Sequence, residues 1–334
     1  MRKVSPIDLL KNYGIILVLV VLIAMFTGFK PNFINLGNLM EILRQVSITG
    51  VIAVGMTFCL LAGQIDLSVG ANAALGMTIA AMWMAAKPIN PELLGGFNIN
   101  PIIGALLGII TSLIVGLING FFVNKVRIPS LIVTLAMMEI IRGLIYVITG
   151  AMPIFEGFED YFRYLGQGQL FNIVPVPVIV MAIAFIIGFI VLSKTVFGRY
   201  VYGVGGNAEV ARLSGINVNK IKYMVFGLSG LLSGVAGIVL LSRMNSFQPR
   251  AGLGYEFEVI TACVLGGISI SGGEGKLTGV LFGTLIMGVL FNGLIQVGLS
   301  EFYQMIIKGA VLLGAVALDT MSQARRSKLV PIKA

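Results

Sequence analysis

Asp66, in the run Gly63-Gln-Ile-Asp-Leu-Ser-Val-Gly70, is a carboxylate set between two long apolar stretches. A charge at membrane depth costs several kcal/mol unless it is paired, hydrated or at a helix end. The spacing Asp66-Leu-Ser68 supports two readings. The carboxylate starts a helix, whose free N–H groups and dipole favour it, or Asp66 and Ser68 belong to a polar translocation path or gate. A second polar group, Gln248, Tyr255 and Glu256, precedes a short apolar segment at 258–271, with Glu258 adding another carboxylate. These side chains either line a polar pore or satisfy an irregular backbone, which at membrane depth is tolerated only where it is buried or lines water. Glu139 and Arg142 stand three apart on one helical face, so they can neutralise each other; the other reading is a substrate contact.

Several chemistries are excluded. The run Gly267-Ile-Ser-Ile-Ser-Gly-Gly-Glu-Gly-Lys276-Leu277 resembles a phosphate-cradling loop. Such a loop needs Gly, four residues, then Gly-Lys-Ser/Thr. Ile270 stands where the first Gly should be and Leu277 where the hydroxyl should be, so any ATP must be hydrolysed on another chain. The absence of histidine removes Ser-His-Asp and Cys-His catalysis, His-ligated zinc and a histidine proton relay. Cys59 and Cys263 lie in apolar runs and read as small buried hydrophobes. No catalytic residue, cofactor or metal ligand set is expected, and the chain is not expected to be an enzyme.

The elements that position these residues are membrane helices. The 334 residues are 57% hydrophobic and only 11% charged, whereas soluble domains carry about 25% charged residues. Forty-three glycines suit close helix packing in lipid, where association depends on contact rather than on hydrophobic drive. Apolar runs long enough to be helical spans fall at 13–29, 46–63, 67–86, 101–123, 129–149, 174–193, 222–242, 258–271, 277–298 and 302–319. The expected fold is an all-α integral membrane protein of about ten transmembrane helices, a single domain over 1–334. The short 258–271 segment reads as a half-helix or a re-entrant element, and 31–45 as a mildly amphipathic stretch that could lie at the interface. The net charge of +9 sits in short loops and tails, which fits orientation by positive-inside charge rather than nucleic-acid binding. With ten crossings, Arg2, Lys3, Lys11, Lys125, Arg127, Lys194, Arg199, Arg212, Lys220, Lys222, Arg325, Arg326 and Lys328 all fall inside. The 150–172 loop, with Glu156, Glu159 and Asp160 against Arg163, falls outside. Both termini are then cytoplasmic.

The inner connection at 194–222 is the most informative stretch. Asn207 can cap a short helix Ala208–Leu213 that Gly215 ends. Ala211, Leu213 and Ile216 offer an apolar knob amid Arg199, Arg212, Lys220 and Lys222. Such an element docks into a partner groove; the bland alternative is a solvated loop.

Here the sequence resembles a family. Gly198-Arg199-Tyr200, Gly205-Gly206-Asn207 and Ala211-Arg212-Leu213-Ser214-Gly215-Ile216 resemble the coupling loop of ribose-type ATP-binding-cassette (ABC) importer permeases. Gly63–Gly70 and Gln248-Pro249-Arg-Ala251-Gly252-Leu-Gly254-Tyr255-Glu256, leading to Leu265-Gly266-Gly267-Ile-Ser269 and Gly272-Gly273, match the same family in order. The resemblance covers about residues 30–320. It implies the large-importer architecture of the vitamin B12 importer type, with roughly ten helices per subunit. It further implies a permease half in a bacterial inner membrane, paired with an identical or paralogous second half. Its other partners would be a cytoplasmic ABC ATPase and a periplasmic or lipid-anchored sugar-binding protein. Gly198, Arg199, Gly206, Asn207, Ala211, Arg212, Leu213 and Gly215 would contact the ATPase; Asp66, Ser68, Gln248, Tyr255 and Glu256 are the candidates for path or gate. The substrate would be a monosaccharide or related small polyol. A competing class, an ion-gradient-driven carrier or channel for a small polar solute, has few membrane carboxylates to use and no role for the inner loop. Finally, Gly63–Gly70 and Gly266–Gly273 share Gly, Ile, Ser and Gly positions, which hints at an internal repeat of the kind that marks transport paths.

Overall fold

Long apolar runs without charge can satisfy their backbone in lipid only by coiling into helices, and the computed structural model is helical nearly throughout. The described residues are 6–86, 96–155 and 158–329, with side chains described between 14 and 321. In chain order the helices are α1 (Pro6–Phe29), α2 (Leu36–Leu61), α3 (Val69–Met84), α4 (Pro101–Phe121), α5 (Ser130–Thr149), α6 (Asp160–Gln167), α7 (Val176–Lys194), α8 (Val196–Gly206), α9 (Ala208–Leu213), α10 (Val218–Met244), α11 (Tyr255–Leu265), α12 (Leu277–Gln296) and α13 (Glu301–Leu329). A π-turn over Phe122–Val126 extends α4. A two-strand hairpin, Gln169–Leu170 with Val174–Pro175, follows α6.

The expected count of about ten spans is not met. Among the described residues, seven helices are long and apolar enough to cross a membrane: α2, α4 with its π-turn, α5, α7, α10, α12 and Glu301–Met321 of α13. In 13–29 the helix α1 begins at Pro6, and its described side chains form an apolar helix over Gly14–Phe29. The other two segments fall short for physical reasons. The 67–86 segment loses its first turn to the bend around Asp66, leaving 16 residues in α3 that rise about 24 Å, against a hydrocarbon layer of roughly 30 Å. The 258–271 segment yields the 11 residues of α11, because the glycines from Gly266 onward end it. With the count, the expected architecture of the vitamin B12 importer type also falls, since seven helices long and apolar enough to span, with shorter ones between them, are what the described residues form.

Burial sorts the helices. In α2 and α10, 83% and 72% of the apolar window is buried, against 28% in α5 and α7 and 6% in α13. The centre is therefore α2, α3 and α10, with α4 laid against α3 and α10. Small residues set the spacing: Gly230 of α10 lies so close to Gly116 of α4 that a Cβ on it would stand 3.0 Å from the Gly116 Cα. The stretch at 31–45 does not lie free at an interface. Its Pro31–Ile34 turn buries Phe33 completely, and α2 begins at Leu36 under an Asn35 cap.

The connections gather at two ends. At one, Lys222 and Asn219 of α10 share an open cleft of about 530 Å³ with Gly63, Gln64, Asn124, Arg127 and Ser130. At the other, Arg243 pairs with Glu41 at 2.7 Å, Ile154 bridges Phe247 and Ser242 receives Gly166 N–H. The charges of Arg2, Lys3, Lys11, Glu156, Arg325, Arg326 and Lys328 lie outside the described side chains.

Candidate functional site

Helix α2 stops at Leu61 and α3 starts at Val69; Gly63 and Gln64 N–H still bond back to the end of α2 and Ser68 O accepts Asn72 N–H, which leaves Ile65–Leu67 outside the helical hydrogen bonds. Buried backbone groups must find other partners, and α5 supplies them. Ile65 N–H donates to Ser130 Oγ (3.2 Å) and Leu67 N–H to Thr134 Oγ1 (3.0 Å). Asp66 is buried and accepts three bonds. Its Oδ1 takes Ser68 N–H (3.0 Å) and Ser68 Oγ–H (2.6 Å), and its Oδ2 takes Ser229 Oγ–H of α10 (2.8 Å). Asn119 Nδ2 of α4 donates to Ser68 Oγ at 2.9 Å. The Asp66 side chain folds back on the backbone two residues on and clasps α4, α10 and the start of α3. Ser68, rather than Asp66, occupies the N-cap position of α3 and makes no side-chain cap bond there. The open cleft reaches Gly63 and Gln64 but is not lined by Asp66 or Ser68.

The second interruption lies between α10 and α11. Gln248 is half-buried, and Tyr255 and Glu256 open α11, so they begin a helix rather than sit in a loop. Arg142 is buried and donates Nη1–H to Ala251 O at 2.8 Å. It turns inward instead of pairing with Glu139, which points outward. Glu256 is 3% exposed, and among the described residues nothing donates to its Oε2. This oxygen stands at the start of α3: a Cβ on Gly70 would lie 2.6 Å from it and would overlap the Gly252 carbonyl. The N-termini of α3 and α11 thus abut through Gly70 and Gly252, with the Glu256 carboxylate where the α3 dipole favours it. Glu258 pairs with Lys308 of α13 at 3.2 Å, and Lys308 sits 4.3 Å above the Phe291 ring.

The third set lies on α8 and α9. Thr195 Oγ1 caps α8 by accepting Gly198 N–H, and Gly198 is buried against the end of α7. Asn207 Oδ1 caps α9 by accepting Glu209 N–H and Val210 N–H, both at 3.0 Å. Gly215 ends it at φ +84°, where glycine alone is unstrained. Arg212 and Glu209 pair on the surface, the Arg212 guanidinium holding the Glu209 carboxyl below its usual range. Arg199, Gly206, Leu213 and Gly215 are exposed. Ala211 is not: at 4% exposure it faces the chain, so the apolar knob consists of Leu213 (76% exposed) and Val210 (56%). Val210 escaped the sequence reading because helical phase in a six-residue helix is fixed only by what it packs on.

The first and third sets meet at Gly205, together with the glycine-rich break that follows α11. Gly273 N–H donates to Leu61 O at 2.9 Å, tying the segment after α11 to the end of α2. The Gly205 backbone lies against both, so that a Cβ there would overlap Leu61 O and stand 2.7 Å from Gly273 N. Gly272 in turn lies against Gly63 and Gly205, a Cβ on it coming 2.9 Å from Gly63 Cα and from Gly205 O. Tyr202 of α8 adds a bond from its hydroxyl to Gly275 O at 2.9 Å. The two segments that looked like repeats, 63–70 and 266–273, are therefore neighbours, and the end of α8 touches both.

A bundle of membrane-length helices with interrupted segments at its core and a capped helix projecting from one end is that of a multi-pass membrane protein. Residues 38–316 match the family model described as branched-chain amino acid transport system / permease component, and the chain belongs to that family. It is 42% identical over 311 residues to the ribose import permease protein RbsC of Escherichia coli (strain K12), covering 92% of this chain and 93% of that one. It is 42% identical over 324 residues to RbsC of Bacillus subtilis (strain 168), covering 97% of each. It is 38% identical over 319 residues to the L-arabinose ABC transporter permease protein AraH of Azospirillum brasilense, covering 96% and 90%. No solved structure matches. The chain is a multi-pass membrane permease of an ABC importer.

Proposed function

We propose that this chain is one half of the permease of a monosaccharide importer, in keeping with its likeness to permeases named for ribose and L-arabinose, and that a separate ATPase drives it through α8 and α9. The observation that supports this most directly is the junction at Gly205. A partner that moves α8 moves main chain packed on the breaks that follow α2 and α11, with no flexible side chain between to absorb the displacement. Both breaks are held by inter-helix bonds, so their displacement shifts α5, α10 and α3 together, which is the kind of packed element that switches between discrete arrangements. Asp66 and Ser68 act in this reading as the clasp of the gate, and Gln248, Tyr255 and Glu256 as its counterpart at the start of α11.

The end carrying Lys125, Arg127, Lys194, Arg199, Lys220 and Lys222 faces the cytoplasm, by the excess of basic residues there. Asp319 of α13 accepts Ile270 N–H of the segment beside Gly205, which supports a cytoplasmic end for α13; in this reading both termini are cytoplasmic. The 150–172 hairpin region then faces outward, toward a sugar-binding protein, and a second permease half, identical or paralogous, completes the path in a bacterial inner membrane.

The test is an acidic residue on the exposed knob. Leu213→Glu or Val210→Glu should leave the helical content of the purified chain unchanged, because both side chains project away from it. Affinity for the co-purified ATPase should fall about thirty-fold or more, the usual loss for a central interface anchor of about 2 kcal/mol, and sugar uptake should fall with it. Unchanged affinity and unchanged ATP-dependent uptake would remove α9 as the coupling element.

A further inference from the structure

Glu139 is the tenth of the twenty residues of α5, about 15 Å of helix from either end. It is exposed, and among the described residues no ion pair or hydrogen bond engages its carboxylate. Arg142, three residues on, is committed to Ala251 O. Asp66 sits in its clasp, Glu258 pairs with Lys308, and Glu41 pairs with Arg44 and Arg243, while the buried Glu256 lies at the start of α3 with one oxygen unpartnered among the described residues. A carboxylate turned to lipid at mid-span costs several kcal/mol, and such groups face the bundle interior or water. The face on which Glu139 lies is also distinct from the rest of α5. Ala136, Glu139, Gly143 and Tyr146 follow one another at helical spacing, all exposed, and a Cβ on Gly143 would meet nothing within 4 Å. The neighbouring exposed positions Leu131, Leu135, Ile140, Leu144 and Val147 are apolar.

We propose that this stripe of α5 lines the water-filled path between the two permease halves, and that the Glu139 carboxylate accepts hydrogen bonds from the hydroxyls of a passing neutral polyol. The proposal rests on the permease reading above. A carboxylate only accepts, which suits a substrate whose polar surface is all hydroxyl donors. The same charge repels anions, so sugar phosphates and sugar acids are disfavoured in the path. Gly143 leaves room for a ring beside the carboxylate, and Tyr146 offers an apolar face with a polar tip, a combination suited to a sugar.

The experiment uses the assembled transporter, with its ATPase and binding protein, in proteoliposomes. Cys59 and Cys263 are both buried, so Glu139→Cys introduces a single accessible thiol. The positively charged thiol reagent 2-(trimethylammonium)ethyl methanethiosulfonate should modify it at least about ten-fold faster than a thiol at Ile187, an exposed apolar position of α7, in the nucleotide-free or the vanadate-trapped state. Modification no faster than at Ile187→Cys in both states overturns the proposal. Uptake supplies the second readout: Glu139→Leu should cut it about ten-fold or more, the worth of a hydrogen bond to a charged group, and Glu139→Gln, which keeps an acceptor, should retain most of it. Uptake by Glu139→Leu equal to that of the unsubstituted chain also overturns it. If instead the unsubstituted chain shows no ATP-dependent uptake, the permease reading itself fails, and thiol modification still reports whether the stripe faces water.

Discussion

Gly205→Ala is expected to abolish transport and to destabilise the bundle by about 3 kcal/mol or more, beyond the usual cost of overpacking a core. The added methyl has nowhere to go. It overlaps the Leu61 carbonyl oxygen and stands 2.7 Å from Gly273 N, and both atoms are main chain, so no rotamer change relieves the contact. The same methyl intrudes on the bond from Gly273 N–H to Leu61 O, and a buried donor and acceptor forced apart add their own penalty of about 1–3 kcal/mol. The neighbouring glycine provides the control. A Cβ on Gly206 meets nothing within 4 Å, so Gly206→Ala should be close to neutral in stability. The measurement is thermal unfolding of the purified complex together with uptake. A Gly205→Ala protein that melts and transports like the unsubstituted one would show that α8 does not seat on the breaks after α2 and α11.

Asp66→Ala should be nearly as damaging, for the opposite reason: it removes a partner rather than adding an atom. Three donors converge on the carboxylate, Ser68 N–H, Ser68 Oγ–H and Ser229 Oγ–H, and Asn119 donates onward to Ser68 Oγ. Losing the acceptor leaves buried donors on α10 and at the start of α3, each costing about 1–3 kcal/mol, so a total of about 3–5 kcal/mol is expected. Asp66→Asn preserves shape and one acceptor. Its amide can donate to Ser229 Oγ, because a hydroxyl accepts as readily as it donates, and the expected cost is about 1–2 kcal/mol. The pair separates the two roles of this residue. If Asp66→Asn folds and transports normally, Asp66 is a clasp only; if it folds but fails to transport, the charge itself serves the gate.

The legibility of the site in the sequence varied with how local each feature is. The Asn207 cap, the stop at Gly215 and the short helix between them are set by residues within a few positions of each other, and the structure has them where the sequence reading put them. The interruption at Gly63–Ser68 was visible as a polar break between apolar runs. What could not be read was the partner of each polar group. Arg142 and Glu139 stand at pairing distance along the chain, yet Arg142 bonds a carbonyl 109 residues away, because the turn at Ala251 has an unsatisfied acceptor and an exposed Glu139 offers less. The helix count erred in the same way: hydropathy measures apolar length, whereas the turns at Asp66 and Gly266 cut apolar stretches into helices of 16 and 11 residues.

The sequence by itself determined that the chain lives in a bilayer, that it carries no catalytic histidine or phosphate loop, and that a capped helix projects near residue 208. Each of these follows from composition or from contacts within a turn of helix. Only the tertiary structure decided that Ala211 faces inward while Val210 and Leu213 face out, that Asp66 is clasped by α4 and α10, and that Gly63, Gly205 and Gly272 share one point of backbone contact. Those facts depend on which helices lie side by side. A glycine's value at a crossing lies in the atoms of a distant segment that it lets approach, and no pattern along the chain records them.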